Sequence, residues 1–164
     1  MTAAPVKETG DWEALARRHQ VWGWRLLAFF MTGGLLLESM HGFKIGFYLD
    51  PNNTLRRELW TLAHAHGTLV ALVQLLFSQT IARRWWTSWE RVRLCSFLYF
   101  GAVVFLPGGF FLGGLMPYNN SDPWVGIWWV PLGALFLIIA ALVTASQAAS
   151  CSTKTTEAGN ESTS

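Results

Sequence analysis

Residues 59–81 read LWTLAHAHGTLVALVQLLFSQTI, and this stretch decides the fold. It contains no Asp, Glu, Lys or Arg. As a helix at 1.5 Å per residue it covers about 35 Å, enough to cross a hydrocarbon core about 30 Å thick. Three further stretches share its length and apolar character: Val21–Gly46, Leu94–Met116 and Val125–Ala149. An unpaired backbone group in lipid costs several kcal/mol, so segments of this kind must be helices. The connections between them are short, which makes consecutive helices antiparallel neighbours. The expected fold class is therefore all-α, a polytopic membrane protein built as an antiparallel four-helix transmembrane bundle.

The flanks differ from this core. Residues 21–149 form the expected transmembrane domain, and residues 1–20 a cytoplasmic amphipathic segment. Within that segment Asp11–Gln20 reads as a helix lying on the membrane surface, with Trp12, Leu15 and Ala16 toward lipid and Arg17 and Arg18 toward anionic headgroups. Residues 150–164, SCSTKTTEAGNESTS, have nothing to anchor a core and are expected to form a disordered cytoplasmic tail. No short apolar run followed by a small-residue cleavage site suggests a signal peptide.

Charge orients the bundle. Lys7, Arg17, Arg18, Arg25, Arg83, Arg84, Arg91, Arg93 and Lys154 fall on one side, and only Lys44, Arg56 and Arg57 on the other. The positive-inside rule then puts both termini in the cytoplasm. Cys95 and Cys151 fall on that reducing side, so no disulfide is expected. Nine of the ten tryptophans, including Trp22, Trp60, Trp86 and Trp129, lie near span ends. An interfacial aromatic belt explains them without a cofactor. The Asp50-Pro51-Asn52-Asn53 turn closes the first outer connection, and Asn52 and Asn119 begin sequons in outer loops. Pro107-Gly108-Gly109 predicts a kink in the third span. Gly109 and Gly113 form a GxxxG spacing, suited to internal packing or to a face for a homo-oligomer or membrane-complex subunit. The lipid bilayer is the expected partner, and no nucleic acid.

Few ionisable groups lie within the spans. Glu38 and His41 sit in the outer half of the first, and His64 and His66 in the outer half of the second, all at one depth. Such groups usually face the bundle interior and pair with one another. Glu38 and His41, three apart, share a face. His64 and His66, two apart, point about 200° away from each other, so one straight helix does not aim both at one ion. Three readings stay open. The cluster is a structural hydrogen-bond network, or a haem b or divalent metal site, or a relay in a small oligomeric proton or ion conductor. Haem candidates are His41, His64 and His66; metal candidates are Glu38, His41 and His64. Gln74 lies deeper and is expected to bond across the bundle, while His19 reads as an interfacial surface residue. The leading reading is a non-enzymatic membrane component with an outer-leaflet Glu/His cluster.

His41-Gly42-Phe43-Lys44 closes the first span, Asp50-Pro51 follows, and His64 stands early in the second. A glycine-containing third helix, Leu106–Leu115, and the Pro131-Leu132-Gly133 opening of the fourth complete the series. In order and spacing, over Leu26–Ala145, the chain resembles a small four-helix bacterial inner-membrane family of unknown function, of the domain of unknown function 423 type, with animal transmembrane relatives. Glu38, His66 and the Pro107-Gly108-Gly109 break depart from the family's pattern. The resemblance implies four transmembrane helices and a bacterial plasma membrane, and it supplies no activity.

Overall fold

The computed structural model describes residues 6–50, 54–117 and 122–161, with side chains described between 10 and 150. Pro51–Asn53 and both sequon asparagines lie outside the described residues. Four long helices run in chain order: α1 (Val6–Gly42), α2 (Thr54–Ala82), α3 (Trp89–Leu115) and α4 (Trp129–Glu161). A 3-10 turn at Val125–Trp128 leads into α4, and no strand forms among the described residues. Pro131 takes a place in the first turn of α4, where its missing N–H is not needed.

Three segments are long and apolar enough to cross a membrane: α2, α3 and Val125–Ser150. The first helix is not among them. Arg25 and Glu38 leave only twelve uncharged residues between them, 26–37, or about 18 Å of helix.

The expected surface helix is not separate. Asp11–Gln20 belongs to one 37-residue helix, α1, which continues into the apolar segment without a break. Trp12, Leu15 and Ala16 do not face outward. They pack on a buried cluster of Phe77, Ile81, Trp86, Val92, Cys95 and Tyr99, and Trp12 meets Trp89 edge-on with ring centroids 5.1 Å apart. The periodicity was that of an amphipathic helix, but the partner of its apolar face is protein. At the other end of the chain, α4 continues to Glu161, into the segment expected to be disordered. No proline or glycine lies between Gly133 and Gly159 to interrupt the helix.

The helices form a row rather than a closed ring. Helix α1 packs along α2, α2 along α3, and α3 along α4, whereas among the described residues α1 and α4 share no extended contact. Side chains of α2, α3 and α4 meet in a second cluster around Val70, Ala102 and Leu106. Glycine sets the closest approaches. A methyl on Gly67 would overlap the ring of Phe30, and one on Gly133 would come within 2.8 Å of the Leu106 Cα. Gly109 faces Val130 and the Gly126 carbonyl, and Gly113 faces Ile127 and Leu59. The GxxxG pair is thus occupied inside the chain, and a dimer through it would first have to open this contact.

Helices α1 and α2 end in the same way. Ile45 N–H bonds to Met40 C=O (3.0 Å) and Lys44 N–H to His41 C=O (3.2 Å). Trp85 N–H bonds to Thr80 C=O and Arg84 N–H to Ile81 C=O. These are Schellman caps, whose reversal residue needs a left-handed backbone and is usually glycine. Lys44 (φ 54°) and Arg84 (φ 57°) occupy it here, trading backbone strain for a cation beside the negative end of the helix dipole.

Candidate functional site

Glu38, His41, His64 and His66 do not gather at one point. Helix α1 ends in Glu38 and His41, both exposed. Across the seam, His64 reaches from α2 toward α1, where Gly34 leaves room for its ring. Its Nδ1 donates to the Phe30 carbonyl at 2.8 Å. With Nδ1 committed, the chemistry left to His64 resides in Nε2, which has no hydrogen-bond partner among the described residues. His66 leaves α2 in another direction. Its Nδ1 donates to the Leu62 carbonyl one turn back (2.9 Å), and its ring lies against Phe110 of α3.

Glu38, His41 and His64 are brought together along one cleft of about 1040 Å³ between α1 and α2. Tyr48, Arg57, Glu58 and Thr61 complete its polar end, and Met31, Leu35 and Leu62 its apolar end. His66 is not part of it. Among the described residues no three His, Cys, Asp or Glu side chains gather closely enough to hold a metal ion. The residues named for a metal therefore share a cleft without forming a ligand set.

No protein-family model, curated protein or solved structure matches this chain. The family resemblance rests on its short motifs alone.

A second cleft, about 640 Å³, opens on the other side of α1, between α1 and α3 with α2 as its floor. It is almost wholly apolar, lined by residues such as Phe29, Leu36, Met40, Val103 and Phe111. His64 and Leu37 line both clefts and form the partition between them.

His19 requires the largest correction. It is fully buried, 0% exposed, rather than a surface residue. Its Nδ1 bonds Gln74 Oε1 on α2, and its Nε2 pairs with Ser96 Oγ on α3 at 2.8 Å. Phe77 and Phe100 enclose the ring. A neutral imidazole satisfies both contacts, with Nδ1–H donating to the amide oxygen and Nε2 accepting from the hydroxyl. Gln74, also 0% exposed, does bond across the helices, and its Nε2 has no partner. A sequence signal for His19 existed. Trp12, Ala16, His19 and Gly23 recur at three- and four-residue intervals, so the stripe that faces α2 and α3 passes through the histidine.

Proposed function

We propose that this chain is a non-catalytic, multi-pass protein of the bacterial inner membrane, with both termini cytoplasmic, that holds a small amphiphile in its outer-leaflet cleft. The apolar character of α2, α3 and α4 supports membrane insertion, and the excess of basic residues at the end holding the α2–α3 connection supports the orientation. Helix α1 completes the crossing with Arg25 extending its guanidinium toward the headgroups, the usual behaviour of long cationic side chains.

The observation that carries the ligand reading is the convergence of Glu38, His41 and His64 on one cleft with a polar and an apolar end. Carboxylates accept there, Arg57 donates, and each imidazole does either. A head that both donates and accepts hydrogen bonds fits the polar end, and a short apolar body fits between Met31, Leu35 and Leu62. Mass spectrometry of small molecules extracted from the purified protein tests this. The expected result is an amphiphile that is lost from Glu38→Gln/His41→Ala. Equal recovery from that variant and the wild type would overturn the reading.

One observation favours a second reading, a haem protein. Histidines that ligate iron commonly donate the other ring nitrogen to a backbone carbonyl, and His64 does so through Phe30. A Soret band in the purified protein that disappears in His64→Ala would establish it, and a featureless visible spectrum would remove it.

A further inference from the structure

We infer that the groove between α1 and α3 is a binding site for one anionic phospholipid of the cytoplasmic leaflet, its phosphate held by Arg18 and Arg25 and one acyl chain laid in the apolar cleft. The inference rests on membrane insertion but not on the outer-leaflet cleft, which lies on the opposite side of α1.

Helical spacing makes the groove continuous. Arg18, Trp22, Arg25, Phe29, Gly33, Leu36 and Met40 recur at three- and four-residue steps, so they form one stripe along α1. Phe100, Val103, Pro107 and Phe111 form the facing stripe on α3. The two are joined at the cytoplasmic end, where the Arg18 guanidinium lies 5.0 Å from the centre of the Phe100 ring. Arg25 lies over Trp22 at 5.7 Å. Beyond them the walls separate into the cleft of about 640 Å³. From Arg25 to Leu36 is about 16 Å along the helix, the depth of one leaflet of a core about 30 Å thick.

Charge selects the occupant. Arg18 and Arg25 are both exposed and make no ion pair among the described residues. Arg93 stands one heptad before Phe100 on the same stripe of α3, and the one carboxylate on the α1 stripe, Asp11, lies two turns beyond Arg18. A net positive mouth leading into an apolar cleft is complementary to a phosphate headgroup with a chain attached. Guanidinium forks also match phosphate oxygens two at a time. A zwitterionic lipid offers a phosphate too, but brings a cation to the same mouth.

Two glycines allow the site to be closed without disturbing the fold. Gly33 and Gly108 both line the cleft, and a Cβ added at either meets nothing within 4 Å. Gly33→Leu/Gly108→Leu therefore fills the space the chain would occupy. The experiment is native mass spectrometry of the full chain in detergent, titrated with phosphatidylglycerol or phosphatidylcholine. Protection of the buried Cys95 thiol serves as the check on folding. The wild type should retain one phosphatidylglycerol in preference to phosphatidylcholine. Gly33→Leu/Gly108→Leu should retain neither while Cys95 stays protected. Arg18→Gln and Arg25→Gln should each weaken phosphatidylglycerol binding about fivefold, the factor for about 1 kcal/mol per basic residue at an anionic lipid surface. Equal retention of the two lipids, undiminished binding in a folded double-leucine variant, or recovery of haem or an uncharged isoprenoid from the cleft would each overturn the inference. Loss of the outer-cleft amphiphile in Glu38→Gln/His41→Ala is read separately, so either site can fail alone.

Discussion

Replacing His19 by phenylalanine isolates the contribution of its hydrogen bonds. Phenylalanine keeps a ring between Phe77 and Phe100 and removes both bonds, to Gln74 and to Ser96. Intramolecular hydrogen bonds contribute about 0.5–1.5 kcal/mol each, and interhelical ones in membranes average nearer 0.6. Gln74 is then left fully buried with no partner on either amide atom, which places His19→Phe at about 1–3 kcal/mol destabilising. The pair of residues is more discriminating than either alone. Gln74→Leu removes the group that suffers, and removing both partners is close to neutral. His19→Phe/Gln74→Leu should therefore be at least about 1 kcal/mol more stable than His19→Phe alone. The assay is thermal or denaturant unfolding of the solubilised protein in a Cys151→Ser background, followed by reaction of the buried Cys95 with a thiol dye. If the double variant is as unstable as the two single effects added together, the buried hub does not hold these helices in place.

Other substitutions probe the packing and the caps by the same assay. Gly133→Ala drives a methyl into the α3 backbone at Leu106 and should cost about 1–3 kcal/mol, whereas Gly33→Ala meets open space and should be neutral or gain up to about 1 kcal/mol of helix propensity. Lys44→Gly and Arg84→Gly should each stabilise by about 1 kcal/mol, because glycine adopts the left-handed backbone these residues occupy without strain; destabilisation would mean that the cations contribute more than the backbone loses. Gly34→Ala pushes the His64 ring off its place, and should reduce amphiphile recovery in the extraction described above.

The helices were legible because their signals are local. The 24-residue uncharged run of α2 and the apolar lengths of α3 and α4 need no tertiary information. Glu38, His41 and His64 could be placed at one level by counting along two antiparallel helices, and they line one cleft. What the sequence hides is which neighbour a face meets. The stripe through Trp12, Ala16 and His19 has the same periodicity whether it lies on a bilayer or on α2 and α3. Its flanking arginines, Arg17 and Arg18, favour the bilayer when the segment is viewed alone. The open row of helices was hidden for a similar reason. Short connections fix that neighbours are antiparallel, but not whether α1 curls round to reach α4. The second cleft follows from that row and has no motif of its own.

A conducting pathway can be judged from the interval between the two polar layers. His19, Gln74 and Ser96 supply polar groups near the end of the helices that holds the α2–α3 connection, and His64 supplies one nearer the opposite end. Ten residues of α2 separate Gln74 from His64, about 15 Å. Over that distance Phe30 fills the hollow at Gly67, and Val70 and Ala71 are fully buried. The two polar side chains of the interval, His66 and Thr68, bond to carbonyls of their own helix, Leu62 and His64. Proton transfer needs a chain of hydrogen bonds with heavy atoms about 3 Å apart, and this interval offers no such chain. Proteoliposomes carrying a pH-sensitive dye should therefore acidify no faster than empty vesicles under an imposed gradient, and Glu38→Gln should change nothing. Flux above the empty-vesicle rate that falls in Glu38→Gln would require water between the layers. It would mean that Phe30 leaves Gly67 in the working protein, and that the dry contact between α1 and α2 is a gate rather than a seal.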